Sequence, residues 1–150
     1  SVGFVRMNHV LEHLYRPRDI MGKIYDSMLP NGCLHLAVPN PEGLTAKLFK
    51  SHWFGLEVPR HCMMYPPKLL KEFIESLGYT NVTILHEAAA KDLARSIGYL
   101  LYDWGFPFED QGEQLMHNTL LIMFIYPISR LAALFGFADR LHVIAYKPSV

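Results

Sequence analysis

The sequence predicts an α/β fold in which parallel strands alternate with helices. Two short apolar runs, residues 3–7 and 33–38, have the length and composition of buried strands. Between them, apolar residues recur at helical spacing, at Ile20, Met21, Ile24, Tyr25 and Met28. A strand, a helix and a second strand in this order form a β-α-β unit, in which a crossover joins parallel strands. The carboxyl ends of both strands are therefore expected at the same edge of the sheet.

The first strand leads directly into the polar turn Asn8-His9-Val10-Leu11-Glu12-His13. If this turn is helical, His9, Glu12 and His13 stand at i, i+3 and i+4 and share one face. These side chains then either cap and pair within the fold, or form a metal site, an acid/base pair, or both. The spacing also matches the inverted zincin pattern of zinc hydrolases. That pattern requires a long helix, and Pro17 interrupts the turn.

The next elements follow from turn and helix signals. Pro17 suits the start of the first helix, and Pro30-Asn31-Gly32 is expected to end it. Pro39-Asn40-Pro41 ends the second strand. The irregular segment 42–67 is rich in aromatic residues and is either a lid over a substrate or a packed surface loop.

A second helix is expected after Pro66-Pro67, ending near Gly78. Its predicted buried stripe is Leu69, Leu70, Phe73, Ile74 and Leu77. Strands are expected at residues 81–85 and 141–146.

Residues 88–137 form an apolar helical insertion before the last strand. No charged residue occurs from Gln114 to Ser129, but the apolar part is shorter than the roughly 20 residues that span a bilayer. The insertion is either a cap over a substrate cavity or a partner subunit, or a peripheral membrane contact through residues 115–137. Only Arg130 and Arg140 lie nearby, and membrane-surface helices usually carry several basic residues, so the cap is favoured.

Composition narrows the function class. The chain has 150 residues, of which 51% are hydrophobic and 19% charged, so one folded domain is expected. Fourteen basic and fourteen acidic residues cancel, and no nucleic-acid partner is expected. Cys33 and Cys62 form no C-x-x-C pair, and the start of the sequence lacks the pattern of a secretory signal. A cytoplasmic location, with or without peripheral membrane contact, is predicted.

Five motifs occur in a fixed order between residues 3 and 86. They are Val10-Leu11-Glu12-His13, Leu29-Pro30-Asn31-Gly32-Cys33, Ala37-Val38-Pro39-Asn40, Pro59-Arg60-His61 and Leu77-Gly78-Tyr79. In this order they resemble the carboxyl-terminal half of the class I S-adenosylmethionine-dependent methyltransferases in which a strand runs into a "VLEH" turn.

The resemblance implies part of a Rossmann-like seven-stranded sheet. Residues 3–7 would be its fourth strand and residues 33–38 its fifth. Residues 1–150 would then form a single partial methyltransferase domain, with 88–137 inserted in it. The glycine-rich loop and the ribose-binding acidic residue of the family have no counterpart in this sequence, so a truncated domain is expected. The edge of residues 3–7 would lack its neighbour and could pair with another copy in a homo-oligomer.

The resemblance also implies a function and a cofactor. The cofactor would be S-adenosylmethionine, with Asn8 and His9 contacting it. The acceptor would be a small or lipid-like molecule, and His13 or His61 would remove its proton. The alternatives are a non-catalytic partner- or membrane-binding module and, third, a zinc hydrolase.

A divalent metal is a further cofactor that the resemblance implies. Some relatives hold one with a Glu-x-x-Glu-His cluster, in which His9 here replaces the first glutamate. The candidate metal ligands are His9, Glu12, His13 and His61, and their imidazoles favour softer ions than magnesium.

Overall fold

The computed structural model describes residues 1–149 and contains a four-stranded sheet with five α-helices. The strands are β1 (Val2–Asn8), β2 (Met28–Pro39), β3 (Thr80–Glu87) and β4 (Arg140–Tyr146). The helices are α1 (Pro17–Ser27), α2 (Leu44–Phe49), α3 (Pro67–Ser76), α4 (Ala90–Asp103) and α5 (Thr119–Leu134). Short 3-10 turns occur at Leu11–His13, Lys50–His52, Phe54–Leu56 and Glu113–His117.

The strands are arranged in the order β1-β2-β4-β3. β1 and β2 are parallel, with Phe4 opposite Cys33 and Asn8 opposite Ala37, which confirms the predicted β-α-β unit. β4 runs antiparallel to β2, because Asn31 and Gly32 exchange backbone hydrogen bonds with Lys147, whereas Asn40 bonds to Asp139. The sheet is therefore mixed, and β1 lies at one edge of the described sheet.

The boundary between α1 and β2 differs from the prediction. The helix ends at Ser27, and β2 already begins at Met28 instead of after Pro30-Asn31-Gly32. The register with β1 shifts here, from Val2 opposite Met28 to Phe4 opposite Cys33, and Asn31 has a positive φ of 61°. The turn residues thus form an irregularity within the extended segment.

The chain divides into two compact units. The first consists of Ser1–Pro39, Arg60–Leu85 and the chain from Leu141 onwards. Its core contains alternate side chains of β2 and β4, such as Leu36 and Val143, together with Met21 of α1 and Leu70 and Ile74 of α3. Leu69, predicted to be buried, is 51% exposed because the inward stripe of α3 runs through Leu70 and Ile74.

The second unit consists of Asn40–Pro59 and His86–Arg140 and contains the whole apolar insertion, residues 88–137. Leu93 and Ala94 of α4 pack with Ile125 of α5 in its core. α5 continues through Pro127 as one helix. Among the described residues, no helix is both long enough and apolar enough to cross a membrane.

A buried polar network lies in the second unit. The Asn40 side chain donates to the Ala138 carbonyl at 2.7 Å, and Asp139 accepts hydrogen bonds from the backbone N–H and the hydroxyl of Thr45. Asn40, Thr45 and Asp139 are each at most 5% exposed. Burial raises the pKa of the Asp139 carboxyl, and the hydrogen bonds from Thr45 counteract only part of that rise.

The raised pKa of Asp139 predicts a pH-dependent stability difference. Between the ordinary pKa of 3.8 and the raised value, the folded state binds more protons than the unfolded state. The free energy of unfolding therefore falls as pH rises through this window. Asp139→Asn has no such titrating group, so the wild type should lose stability relative to the variant as the pH rises above about 4 in urea denaturation. Asp26→Asn, at an exposed position, is the control; a parallel pH dependence of wild type and Asp139→Asn would contradict the prediction.

Candidate functional site

The candidate site begins where β1 ends. The backbone N–H of His9 donates to the Ala37 carbonyl at 2.9 Å, so this residue still pairs with β2. Its φ of 51° lies in the left-handed region, which turns the chain out of the strand. The prediction of a helical turn from His9 to His13 is wrong at its first two residues, since only Leu11–His13 is helical, as a 3-10 turn.

Glu12 is the buried centre of the site, with 1% of its surface exposed. Its Oε1 atom lies 3.1 Å from Nδ1 of His9 and 3.9 Å from Nε2 of His61. Its Oε2 atom is also buried and has no hydrogen-bond partner among the described residues. A buried carboxylate oxygen without a partner is costly, because the charge has lost its hydration. The site therefore holds unused acceptor capacity beside two imidazoles.

The segment containing His61 is tied to the Glu12 backbone. The N–H groups of Cys62 and Met63 both donate to the Glu12 carbonyl oxygen, at 2.8 and 3.2 Å. These bonds join segments about fifty residues apart and place His61 against the turn. The ring centroids of His13 and His61 are 4.7 Å apart.

The hydrogen bond of His13 fixes the proton on its ring. Nδ1 of His13 lies 2.9 Å from the carbonyl oxygen of Arg60. A carbonyl oxygen only accepts, so Nδ1 carries the hydrogen, and Nε2 of the neutral ring presents a lone pair. A lone pair held in this way can accept a proton or bind a metal ion.

Three of the candidate residues lie close enough together to share a metal ion. One ligand atom each of Glu12, His13 and His61 lies within 4.8 Å of the others. A carboxylate and two imidazoles suit a transition-metal ion of borderline softness. His9 is not in this group, and its Nδ1 lies 3.1 Å from Oε1 of Glu12. It can therefore orient the carboxylate that faces the other two ligands.

The geometry does not reproduce the inverted zincin arrangement. That arrangement needs two histidines one helical turn apart on a regular helix, and His9 lies outside the helical segment.

Asn8 lies at the exposed carboxyl end of β1, opposite Ala37. Its side-chain oxygen accepts a hydrogen bond from Nε of Arg6 at 3.1 Å. The structure thus brings Asn8 and His9 to one strand end, and Glu12, His13 and His61 to a cluster directly after it.

Tyr65 is a neighbour of the site that the sequence analysis did not single out. It is 4% exposed, and burial together with the negative charge of Glu12 raises its pKa to about 12. Its hydroxyl therefore stays protonated at neutral pH, and it donates to the sulfur of Met63. Only its place in the aromatic-rich segment 42–67 could have identified Tyr65 from the sequence as a neighbour of the site. Aromatic residues in such a segment indicate packing as readily as function.

A comparison with protein-family models shows the family of this chain. A family model described as a methyltransferase domain matches residues 1–84. No curated protein sequence matches the chain.

Several solved structures share the fold. A SAM-dependent methyltransferase from Archaeoglobus fulgidus has a TM-score of 0.56 and 21% identity, covering 97% of this chain and 59% of that one. A Thermotoga maritima methyltransferase described as a possible histamine N-methyltransferase has a TM-score of 0.56 and 8% identity over 97% of this chain and 55% of that one. Phosphoethanolamine N-methyltransferase 2 of Haemonchus contortus, in complex with S-adenosylmethionine, has a TM-score of 0.55 and 11% identity. The match covers 97% of this chain and 33% of that one. The present chain thus spans less than two thirds of the length of each.

The left-handed conformation of His9 predicts an unusual ranking of two variants. His9→Ala and His9→Gly both remove the imidazole that contacts Glu12, but only glycine adopts a positive φ without a steric cost. The glycine variant should therefore have a free energy of unfolding about 1 kcal/mol higher than the alanine variant, measured in urea. An alanine variant as stable as the glycine variant would show that the backbone at His9 is unstrained.

Proposed function

The chain belongs to the methyltransferase domain family, and from that premise we propose that it supplies the acceptor side of an S-adenosylmethionine-dependent methyl transfer. The observation that carries the proposal is the convergence of Glu12, His13 and His61 directly after the carboxyl end of β1. Ligands of open α/β sheets bind at this edge.

On this proposal, Asn8 and His9 border the methyl donor. Both stand where β1 ends, and the parallel neighbour β2 places Ala37 beside them. The sequence has no counterpart of the family's glycine-rich loop, so these residues contribute only part of the donor site. The rest would come from the portion of the fold that the longer structures contain and this chain does not.

The acceptor we propose is a hydroxyl group on a small or lipid-like molecule. Nε2 of His13 accepts the hydroxyl proton, and the oxygen attacks the methyl carbon in line with the sulfur. When bound, S-adenosylmethionine would supply the methyl group and would leave as S-adenosylhomocysteine with the electron pair of the broken carbon–sulfur bond, so the other product would be the methyl ether. Glu12 stabilises the imidazolium that forms, and His61 is the second candidate base.

A divalent metal also fits the cluster as a cofactor. The unpartnered Oε2 of Glu12 and the lone pair of His13 are unused ligand atoms, and His61 completes the set. A metal ion there would act as a Lewis acid that holds the acceptor oxygen and lowers its pKa. Nε2 of His13 cannot bind a metal and accept a proton at once, so the base would then be another group.

Metal binding tests the cluster directly. Titration calorimetry should show binding of zinc at least about tenfold tighter than binding of magnesium, because imidazole nitrogen favours the softer ion. Glu12→Gln and His61→Ala should each weaken zinc binding by about tenfold or more. His117→Ala, on an exposed histidine remote in sequence, is the matched control. Equal zinc affinity in all of these proteins would remove the metal from the proposal.

Two substitutions distinguish a role of His13 as the proton acceptor from a purely structural role. His13→Asn retains a donor for the Arg60 carbonyl but lacks the Nε2 lone pair, whereas His13→Ala lacks both. In the whole protein, transfer of labelled methyl groups to hydroxylated acceptors should fall by about 10²- to 10⁴-fold in kcat for His13→Asn, with the KM for the donor unchanged. Full kcat in His13→Asn together with His61→Asn would refute the assignment of the base. Full rescue by asparagine relative to alanine would assign His13 a structural role.

A further inference from the structure

α5 exposes an unusually large apolar surface for a helix of 16 residues. The side chains of Phe124 and Leu134 are 74% and 72% exposed. The exposed large apolar residues of the helix and the turn after it are Leu120, Met123, Phe124, Tyr126, Ile128, Leu131, Leu134, Phe135 and Phe137. Exposed apolar residues on this scale mark an interaction surface.

These residues form a continuous face. Leu120, Phe124 and Leu131 stand at i, i+4 and i+11, which places them on one side of the helix. The opposite side, including Ile125 and Ser129, is buried. At 1.5 Å per residue, the helix is about 24 Å long. The apolar face, residues 120–137, thus runs along the whole helix.

An apolar cleft continues the face at its carboxyl end. The cleft has a volume of about 220 Å³. Its lining residues are all apolar: Leu44, Ile128, Leu131, Ala132, Phe135 and Phe137. The Lys47 ammonium lies 4.4 Å from the centre of the Phe137 ring, so a cation stands beside an entirely apolar lining. The combination suits a ligand with a hydrocarbon tail and an anionic head.

Within residues 114–138 the charge has one sign. Arg130 is the only Asp, Glu, Lys or Arg residue from Gln114 to Ala138, and it is exposed on α5. Arg130 stands seven residues after Met123 and four after Tyr126, so it lies among the exposed residues of the face. Its long side chain can extend from there towards a polar layer. With Lys47, it gives the face two cations and, within this segment, no carboxylate. The sequence alone places only Arg130 on this helix, which favoured a cap. The fold adds Lys47 beside the cleft, and the two cations complement anionic phosphates above a hydrocarbon layer.

We propose that the apolar face of α5 docks on an anionic lipid bilayer. The helix lies in the plane of the interface with Phe124 and Leu131 among the acyl chains, and the end of one acyl chain enters the cleft. Arg130 and Lys47 contact lipid phosphates. The inference goes beyond the proposed methyl transfer, because it concerns the surface on which the protein works and uses none of the residues of the strand-end site.

Vesicle sedimentation tests the proposal with the whole chain. The protein should sediment with vesicles of equimolar phosphatidylcholine and phosphatidylglycerol, and less with phosphatidylcholine alone. The double variant Phe124→Glu/Leu131→Glu should bind the anionic vesicles at least about tenfold more weakly, because carboxylates would enter the hydrocarbon. Arg130→Gln should weaken this binding by about fivefold and leave binding to phosphatidylcholine unchanged.

Leu69→Glu is the matched control, since Leu69 is 51% exposed on α3 in the first unit and should not contact lipid. Circular dichroism verifies that each variant folds. Absence of vesicle binding by the wild type, or equal loss of binding in Leu69→Glu, would overturn the proposal. A wild-type dimer in light scattering that Phe124→Glu/Leu131→Glu dissociates, without any vesicle binding, would instead assign the face to a second copy of the chain.

Discussion

The backbone carbonyl of Glu12 is the constraint on which the candidate site depends. It accepts hydrogen bonds from two successive N–H groups, of Cys62 and Met63, and so fixes a distant segment against the turn after β1. The side chain of the same residue meets His9 and His61. Since backbone groups make the tether, side-chain substitutions within the cluster can change its chemistry without releasing the segment.

The first unit could be predicted largely from local patterns. Residues 3–7 and 33–38 are short apolar runs around an amphipathic helix, and they became parallel strands as expected. The turn at His9 was not predictable in this way, because i, i+3, i+4 spacing indicates a helix and carries no sign of a left-handed residue. Histidine nevertheless reaches Glu12, since a short turn also brings residues three apart into contact.

The second unit depends on contacts that no local pattern reveals. Thr45 and Asp139 are 94 positions apart, yet the carboxylate of one caps the first turn of the helix that contains the other. The apolar sequence of α5 predicted a helix, but which of its faces would remain exposed depends on how α4 packs against it. Ile125 and Ala132 are buried although they are no more apolar than the exposed residues beside them. Only the packing of the helix distinguishes its buried positions from its exposed ones. The methyltransferase fold does not by itself determine which groups react. The chemistry must therefore be argued from the cluster of Glu12, His13 and His61.

The position of β4 in the sheet has a consequence for biosynthesis. Among the described strands, β3 neighbours only β4, and β4 follows all the others in the sequence, yet it occupies the place between β2 and β3. During translation β3 leaves the ribosome more than fifty residues before its only partner is made. The backbone N–H and C=O groups of β3 therefore remain unpaired while α4 and α5 are synthesised. The apolar surfaces of these two helices emerge in the same interval. Closure of the sheet is thus a late, non-local step, and a nascent chain arrested before Arg140 would present both an open strand edge and the apolar face to chaperones.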